Sequence, residues 1–162
     1  MGKEINKTSD SPMPVYAVNK KAHFDYEVLE TLEAGLVLLG HEVKSLRNGS
    51  AKLTGAYVTF HKNKPMLTNF HIPKYRFAGN VQEYDPERSR EILLKAKQID
   101  YLRGKSEEKG LTIVPLSVYT KGRYIKVEIG IAKGKKTYDK RRVMKEREQK
   151  RETGRIMKGI YD

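Results

Sequence analysis

A chain of 162 residues with a formal charge of +13 and a pI of about 9.8 is long enough for one ordinary domain with a core and a tail, and its cationic excess points to polyanions as partners. It has no cysteine, which excludes disulfides and thiolate chemistry and suggests a cytosolic setting. No apolar run approaches a membrane span, and the first residues lack the apolar core of a signal peptide.

Residues 1–14 are polar and small, with Pro12 and Pro14, and are expected to be disordered. Residues 15–132 hold the predicted elements of one domain. Val15 to Val18 is a short extended lead-in. Asn19-Lys20-Lys21-Ala22-His23 is a basic cluster just before Phe24-Asp25-Tyr26. Tyr26 to Glu33 alternates in part and reads as a strand that runs on through Ala34-Gly35 into the next stretch. The run Gly35-Leu36-Val37-Leu38-Leu39 reads as a buried strand that Gly40 breaks. His41 to Arg47 then fits a short helix, with Val43 and Leu46 as its apolar contact and Glu42, Lys44 and Arg47 on a charged rim. Asn48-Gly49 ends it, since both residues tolerate positive φ. A charged rim of this kind is equally a solvated surface.

Ala56 to Phe60, a turn over Lys62-Asn63-Lys64-Pro65 and a strand from Met66 to Ile72 predict a hairpin. Asp85 as N-cap and Pro86 at the first helical position predict one long helix. Ile92, Leu93, Ala96, Ile99 and Leu102 would form its apolar face, Gly104 its end, and Arg88, Arg90, Lys95 and Lys97 its outer side. Leu111 to Val118 is a further apolar run in which Pro115 marks an edge or a bulge. Gly122 turns the chain. From Tyr124 to Ala132 the alternation is strict, with Ile125, Val127, Ile129 and Ile131 on one side and Tyr124, Lys126, Glu128 and Gly130 on the other. The expected fold is mainly β: a small closed antiparallel barrel with about three flanking helices.

The composition changes at Lys133. Residues 133–162 carry 12 Lys and Arg against 5 Asp and Glu, about half the excess charge of the chain. Apolar residues are too few for a docking stripe, whereas Asp139–Arg142, Glu146–Lys150, Glu148–Arg151 and Glu152–Arg155 are helix-spaced ion pairs. This pattern predicts a basic tail, disordered alone and helical against a polyanion, reaching about 36 Å as a helix from Asp139 onward. A purely solubilising tail would share this composition.

Several motifs are decoys. Gly130 to Thr137 resembles a phosphate loop but is one residue short, with Lys where Ser or Thr should bind magnesium. Ser106-Glu107-Glu108-Lys109 matches a Ser-x-x-Lys pattern without its companions. His23, His41, His61 and His71 show no metal-ligand spacing, so neither a metal nor another cofactor is expected. Glu33 and Glu42 have no partners that would make them a catalytic pair, and no constellation argues for an enzyme. The residues alone lead to a basic, mostly β module for RNA or DNA with a mobile arm.

Four segments go further. EAGLVLLGHEVKSLRNG from Glu33, DPERSREILL from Asp85, LTIVPLSVY from Leu111 and KVEIGIAKGKKTYDKR from Lys126 stand in the same order as in the SsrA-binding protein (small protein B) family, and the chain resembles that family from about Tyr16 onward. The resemblance implies a barrel of the oligonucleotide-binding type. It also implies a monomer that binds the tRNA-like part of transfer-messenger RNA and serves stalled ribosomes in trans-translation, with no membrane and no catalytic role. By match to the family's motifs, Asn19, Lys20, Glu33, Glu42, Lys44, Leu93, Lys126, Lys133, Lys135 and Lys136 would meet the RNA on one face. The lysines would neutralise phosphates, and Asn19 and the glutamates would accept or donate to hydroxyls and base edges. Two of these positions keep plain alternatives: Glu33 as a strand-end carboxylate paired with a lysine, and Leu93 as packing of the long helix. The resemblance implies that the tail occupies the decoding site and the vacant mRNA channel. Tyr138 would stack there, with Asp139, Lys140, Arg141 and Lys145 beside it. Glu91 departs from the family motif, which has a base there. A general RNA-binding or ribosome-associated barrel protein is the alternative; it would bind RNAs broadly, with a steep salt dependence.

Overall fold

The computed structural model describes residues 14–79, 83–135, 140–142 and 144–152. Among the described residues seven strands and three helices follow in the order β1 (Val15–Val18), α1 (Lys20–Asp25), β2 (Tyr26–Leu36), α2 (Gly40–Arg47), β3 (Tyr57–His61), β4 (Lys64–Thr68), β5 (Arg90–Leu93), α3 (Ala96–Glu107), β6 (Leu111–Lys121) and β7 (Tyr124–Gly134). A further helical stretch covers 140–142 and 144–152. The expected disorder of residues 1–14 falls, apart from Pro14, outside the described residues.

The strands form one antiparallel sheet in the order β1-β6-β7-β2-β5-β4-β3. It curls until β3 lies against β6, but the expected closed barrel is not formed by hydrogen bonds, because no ladder joins these strands among the described residues. The strand expected to run from Tyr26 through Ala34-Gly35 is one continuous β2, but it ends at Leu36 rather than Leu39. Two tight turns shape the hairpins. Lys62 and Asn63 both have positive φ (49° and 66°), as a type I′ turn demands, and Gly122 at φ 61° opens a II′ turn. Pro65, expected in the first turn, lies inside β4 instead. Asn69, at φ 61°, ends the strand expected to run on to Ile72. Pro115 marks a bulge, seen as a register shift between β6 and β7.

The core packs inside the curl. Val127, Ile129 and Ile131 of β7 are buried there as the alternation required, against Leu46 of α2, Phe70, Ile92 and Leu102. Each such side chain stabilises the fold by about 1.5–3 kcal/mol. Leu102 is the buried residue through which α3 covers this core. The opposite face of the sheet holds a smaller cluster of Ala22, Val114, Leu116 and Ala132 beneath α1. Gly130 belongs to it, since a Cβ there would stand 3.1 Å from both Leu116 and Val28. The phosphate-loop glycine is thus a packing glycine.

The long helix expected from Asp85 is not one. Asp85-Pro86 makes only a turn, closed by Asp85 Oδ1 accepting from the Glu87 N–H at 2.9 Å. Residues 90–93 are strand β5, and the helix starts at Ala96 and runs past Gly104 to Glu107. The physical reason lies in Arg90. Arg90 and Ile92 point inward, both essentially fully buried, while Leu93 points outward. A period of two is therefore present, but a cation occupies one of its inward places.

That cation is paired with Glu42, also fully buried, rather than standing on a helix surface. Arg90 Nε donates to Glu42 Oε2 at 2.7 Å. Its other donors reach Phe70 O, Arg88 O, Tyr84 Oη and Pro86 O. Arg88 binds the same carboxylate from the solvent side, through Nε at 3.1 Å and through Nη2. Glu42 also accepts from the Leu39 N–H at 2.8 Å and from Tyr84 Oη at 2.9 Å. Burial alone would raise its pKa. The bonds from Arg88, the Leu39 N–H and Arg90 outweigh burial and hold the carboxyl at about 2. The same surroundings push the Tyr84 hydroxyl up to about 12, by burial and by its bond to Glu42.

Because the Glu42 pKa is depressed by folding, the stability it contributes is present above the ordinary value of 4.5 and is lost as pH falls towards 2. The loss expected across that window is on the order of 3 kcal/mol. Urea unfolding followed from pH 6 to pH 2 should show this decline in the wild type and a flatter profile in Glu42→Gln. The variant itself should be destabilised by about 3–5 kcal/mol at pH 6, since it leaves Arg90 buried without its counter-charge.

Candidate nucleic-acid interface

Three strands build a groove on the outer face of the sheet. In register, Lys126 of β7 stands opposite Gly35 of β2, and Gly35 stands opposite Leu93 of β5. These three positions form one row across the sheet. The middle one has no side chain, so the row is open between a cation and an apolar residue that is 55% exposed. A Cβ at Gly35 would meet Leu93 Cβ at 3.2 Å. Leu38 and Val43 wall the groove on the α2 side, Arg123, Tyr124 and Ile125 on the other, and its volume is about 390 Å³. Lys126 Nζ lies 5.8 Å from the centroid of the Tyr124 ring, which is 70% exposed. Such a surface offers a cation for phosphate, an aromatic face for a base or ribose and an apolar floor.

Glu33 sits one step along the same face of β2. Its carboxylate accepts from the Tyr119 hydroxyl and lies 3.4 Å from Lys121 Nζ. The Tyr119 bond, aided by Lys121, lowers its pKa against the opposing effect of burial. Burial and the bonded carboxylate push the Tyr119 hydroxyl up. Glu33 is thus the lysine-paired strand carboxylate that sequence reasoning offered as its plainer reading. Leu93 is not packing of a long helix, because it lies on a strand and faces out. Lys44 is exposed on α2, next to Val43.

The remaining candidates lie elsewhere. Glu42 is interior, committed to Arg88, Arg90, Tyr84 and Leu39, so its expected reading of hydroxyls is corrected to holding α2 in place. Asn19 is also buried. Its Oδ1 caps α1 by accepting from the Ala22 N–H at 3.0 Å, and its Nδ2 donates to Pro115 O at 2.9 Å, at the β6 bulge. Both polar atoms of that side chain are used inside the fold. Lys20 and Lys133 are exposed near α1, and Lys135 reaches His23 O at 3.2 Å. Lys126 and Lys133 are about 23 Å apart along β7 at roughly 3.3 Å per residue. The candidates therefore do not share one face. They fall into a groove group of Leu93 and Lys126, with Glu33 one step along the same face of β2, and an α1-end group of Lys20, Lys133 and Lys135, while Lys44 stands on α2 over Tyr75.

The helical stretch of the tail meets the α1 end. Lys140 Nζ lies 3.4 Å from Asp25 Oδ1, and the Arg147 guanidinium lies 5.7 Å from the Phe24 ring centroid. Arg142 and Glu146 pair along the helix at 3.3 Å. Arg141 and Lys145 are exposed. Lys136, Tyr138 and Asp139 lie outside the described residues. Sequence reasoning missed Gly35, Arg123 and Tyr124 as groove residues. The alternation of β7 had put Tyr124 on the Lys126 side, but nothing local showed that Gly35 would lie between Lys126 and Leu93.

A curled antiparallel sheet with a cation-lined outer groove and a basic helical tail defines a polyanion-binding module of small size. Comparison with known proteins is more specific. The family model SmpB protein matches residues 16–159, and the chain belongs to that family. An SsrA-binding protein of Macrococcus caseolyticus (strain JCSC5402) is 50% identical over 147 residues, covering 91% of this chain and 95% of the relative. One of Oleidesulfovibrio alaskensis is 47% identical over 151 residues, covering 93% and 97%. Among solved structures, a chain from "tmRNA-SmpB: a journey to the center of the bacterial ribosome" is 46% identical, with a TM-score of 0.64 over 76% of this chain and 86% of that one.

Two substitutions test the groove. Gly35→Val should fill the space beside Leu93 and weaken RNA binding about tenfold, or about 1.4 kcal/mol, with the far-ultraviolet spectrum unchanged. Lys126→Ala should lower the slope of log K against log salt by about one, as removal of one phosphate contact does. Filter binding over a salt series measures both.

Proposed function

We propose that this protein binds the tRNA-like domain of transfer-messenger RNA (SsrA) and delivers it to stalled ribosomes for trans-translation. The observation that carries this reading is membership of the SmpB family over almost the whole chain, with relatives named for SsrA binding. The groove supports it physically. A folded RNA is held at its backbone and at its unstacked or exposed nucleotides, and the row of Lys126, Gly35 and Leu93 beside Tyr124 presents a cation, an open floor and an aromatic ring to such a target. Its sheet functions as a barrel of the oligonucleotide-binding type, and the protein acts as a monomer in the cytoplasm without catalytic residues or cofactor.

The α1-end cations and the tail serve the ribosome in this reading. Tyr138, Asp139, Lys140, Arg141 and Lys145 lead into the decoding site, and the helix beyond them follows the empty mRNA channel. The density of charge supports this: residues 133–162 hold 12 Lys and Arg and could bind a phosphate-lined channel along their length. The contacts seen between the helix and α1 among the described residues include a partly exposed ion pair and a cation–π contact. Together they contribute about 1–2 kcal/mol, which RNA phosphates can replace.

Two measurements check the proposal. Binding to the tRNA-like half of transfer-messenger RNA at near-physiological salt, with an elongator tRNA as competitor, should show strong preference for the former. Equal binding to both would reduce the protein to a general basic RNA binder. Deleting residues 137–162 should leave that binding within a few-fold while abolishing peptide tagging in a reconstituted translation reaction, and retained tagging would remove the tail from its proposed role.

A further inference from the structure

A second basic and aromatic feature lies outside the groove. Tyr75-Arg76-Phe77-Ala78 is a tight turn, closed by the Ala78 N–H donating to Tyr75 O at 3.1 Å. Tips of such turns are ordinarily Gly, Asn, Asp or Ser. Here the tip is Arg76-Phe77, and Phe77 is 73% exposed, the most exposed of the large hydrophobic residues described. The ring is not loose. It meets Tyr75 edge to face at 5.7 Å, and the Arg76 guanidinium stands 5.5 Å from its centroid. Lys44 of α2 stands in turn over Tyr75 at 5.8 Å.

The base of this turn is anchored. Ser45 of α2 donates to Pro73 O, and Ile72 is held by its N–H to Pro86 O at 3.0 Å and by Tyr84 Oη at 2.8 Å. Through Tyr84 the anchor continues into the buried Glu42–Arg90 pair. An exposed aromatic ring on an anchored turn, flanked by Lys44, Lys74 and Arg76, combines a stacking surface with phosphate neutralisation at one place. A protein-docking patch of this size would ordinarily be depleted of lysine at its centre, so the charge favours RNA. The patch and the groove share α2, which carries Lys44 over Tyr75 and Val43 in the groove wall.

We propose that Phe77 and Tyr75, with Lys44 and Arg76, form a second RNA-contact platform on which an unpaired base stacks while the cations hold its flanking phosphates. The platform is separate from the groove, and its assignment to transfer-messenger RNA rests on the function proposed above. The base that binds lies in a loop or bulge, since a base inside a duplex has no free face.

The test uses the full-length protein and the tRNA-like half of transfer-messenger RNA. Phe77→Ala should weaken binding about five- to a hundredfold with the salt slope unchanged, while Phe77→Tyr stays within twofold of wild type. Arg76→Gln should lower the salt slope by about one. Acylation of 2′-hydroxyls along the RNA should show one or a few unpaired nucleotides that are protected by wild type and released by Phe77→Ala. Phe77 is exposed, so its variants keep the fold. If Phe77→Ala binds within twofold of wild type and leaves the same protections, the platform is refuted and the turn belongs to a protein contact, while the groove reading stands on its own preference for the tRNA-like half. If wild type fails to prefer that half over elongator tRNA but Phe77→Ala still loses affinity, the platform stands as an RNA contact and the functional reading falls.

Discussion

The buried carboxylate of Glu42 between Arg88 and Arg90 is the interaction on which the surface of this protein depends. It joins α2 to β5, and through Tyr84 and Phe70 O it joins both to the chain entering and leaving the 73–79 turn. Two charges that would each be costly alone in an apolar interior, Glu42 and Arg90, satisfy one another there, with Arg88 closing the pair from the solvent side. One carboxylate takes donors from four residues, and Arg90 uses its whole guanidinium. Pairs of this kind contribute less to net stability than their contacts suggest, because desolvation opposes the Coulomb gain. What they do enforce is geometry: α2 can sit in only one place if Glu42 is to be satisfied.

That geometry decides where the cations and apolar residues of the outer surface stand. Lys44 is placed beside Tyr75 and next to the groove only because α2 is fixed at Glu42. Leu93 faces outward only because Arg90 and Ile92 take the inward places of β5. Gly35, between Lys126 and Leu93, then leaves a depression instead of a ridge. The groove is thus a consequence of one polar pair in the core and one missing side chain in the sheet.

At the opposite end the logic is weaker by design. Asn19 uses both ends of its amide to tie α1 to the bulge at Pro115, so α1 is firmly set. The tail helix rests on α1 through contacts at the protein surface, where water screens an ion pair to a small net contribution. A firm core, a fixed groove and a lightly held basic helix form a gradient of stability along the chain, with the charge density highest where the hold is least.

The sequence by itself determined the basic character, the family, and those strands whose pattern is strictly local, whereas the compositional change at Lys133 falls inside β7, which runs on to Gly134. In β7 the alternation of Ile125, Val127, Ile129 and Ile131 reports burial directly, and the turns at Lys62-Asn63 and Gly122 follow from short-range backbone preference. It was misleading wherever a polar residue holds an inward place. Arg90 looked like the outer side of a helix and Glu42 like a charged rim, because nothing within ten residues of either shows that they neutralise each other across 48 positions. Asn19 likewise was expected on the RNA-facing surface, although it is buried and its partner Pro115 O is 96 residues away. Only tertiary structure could decide these pairings, since a buried charge is stable only where a distant opposite charge meets it. Only tertiary structure could separate the expected RNA-facing lysines into two groups at the two ends of β7.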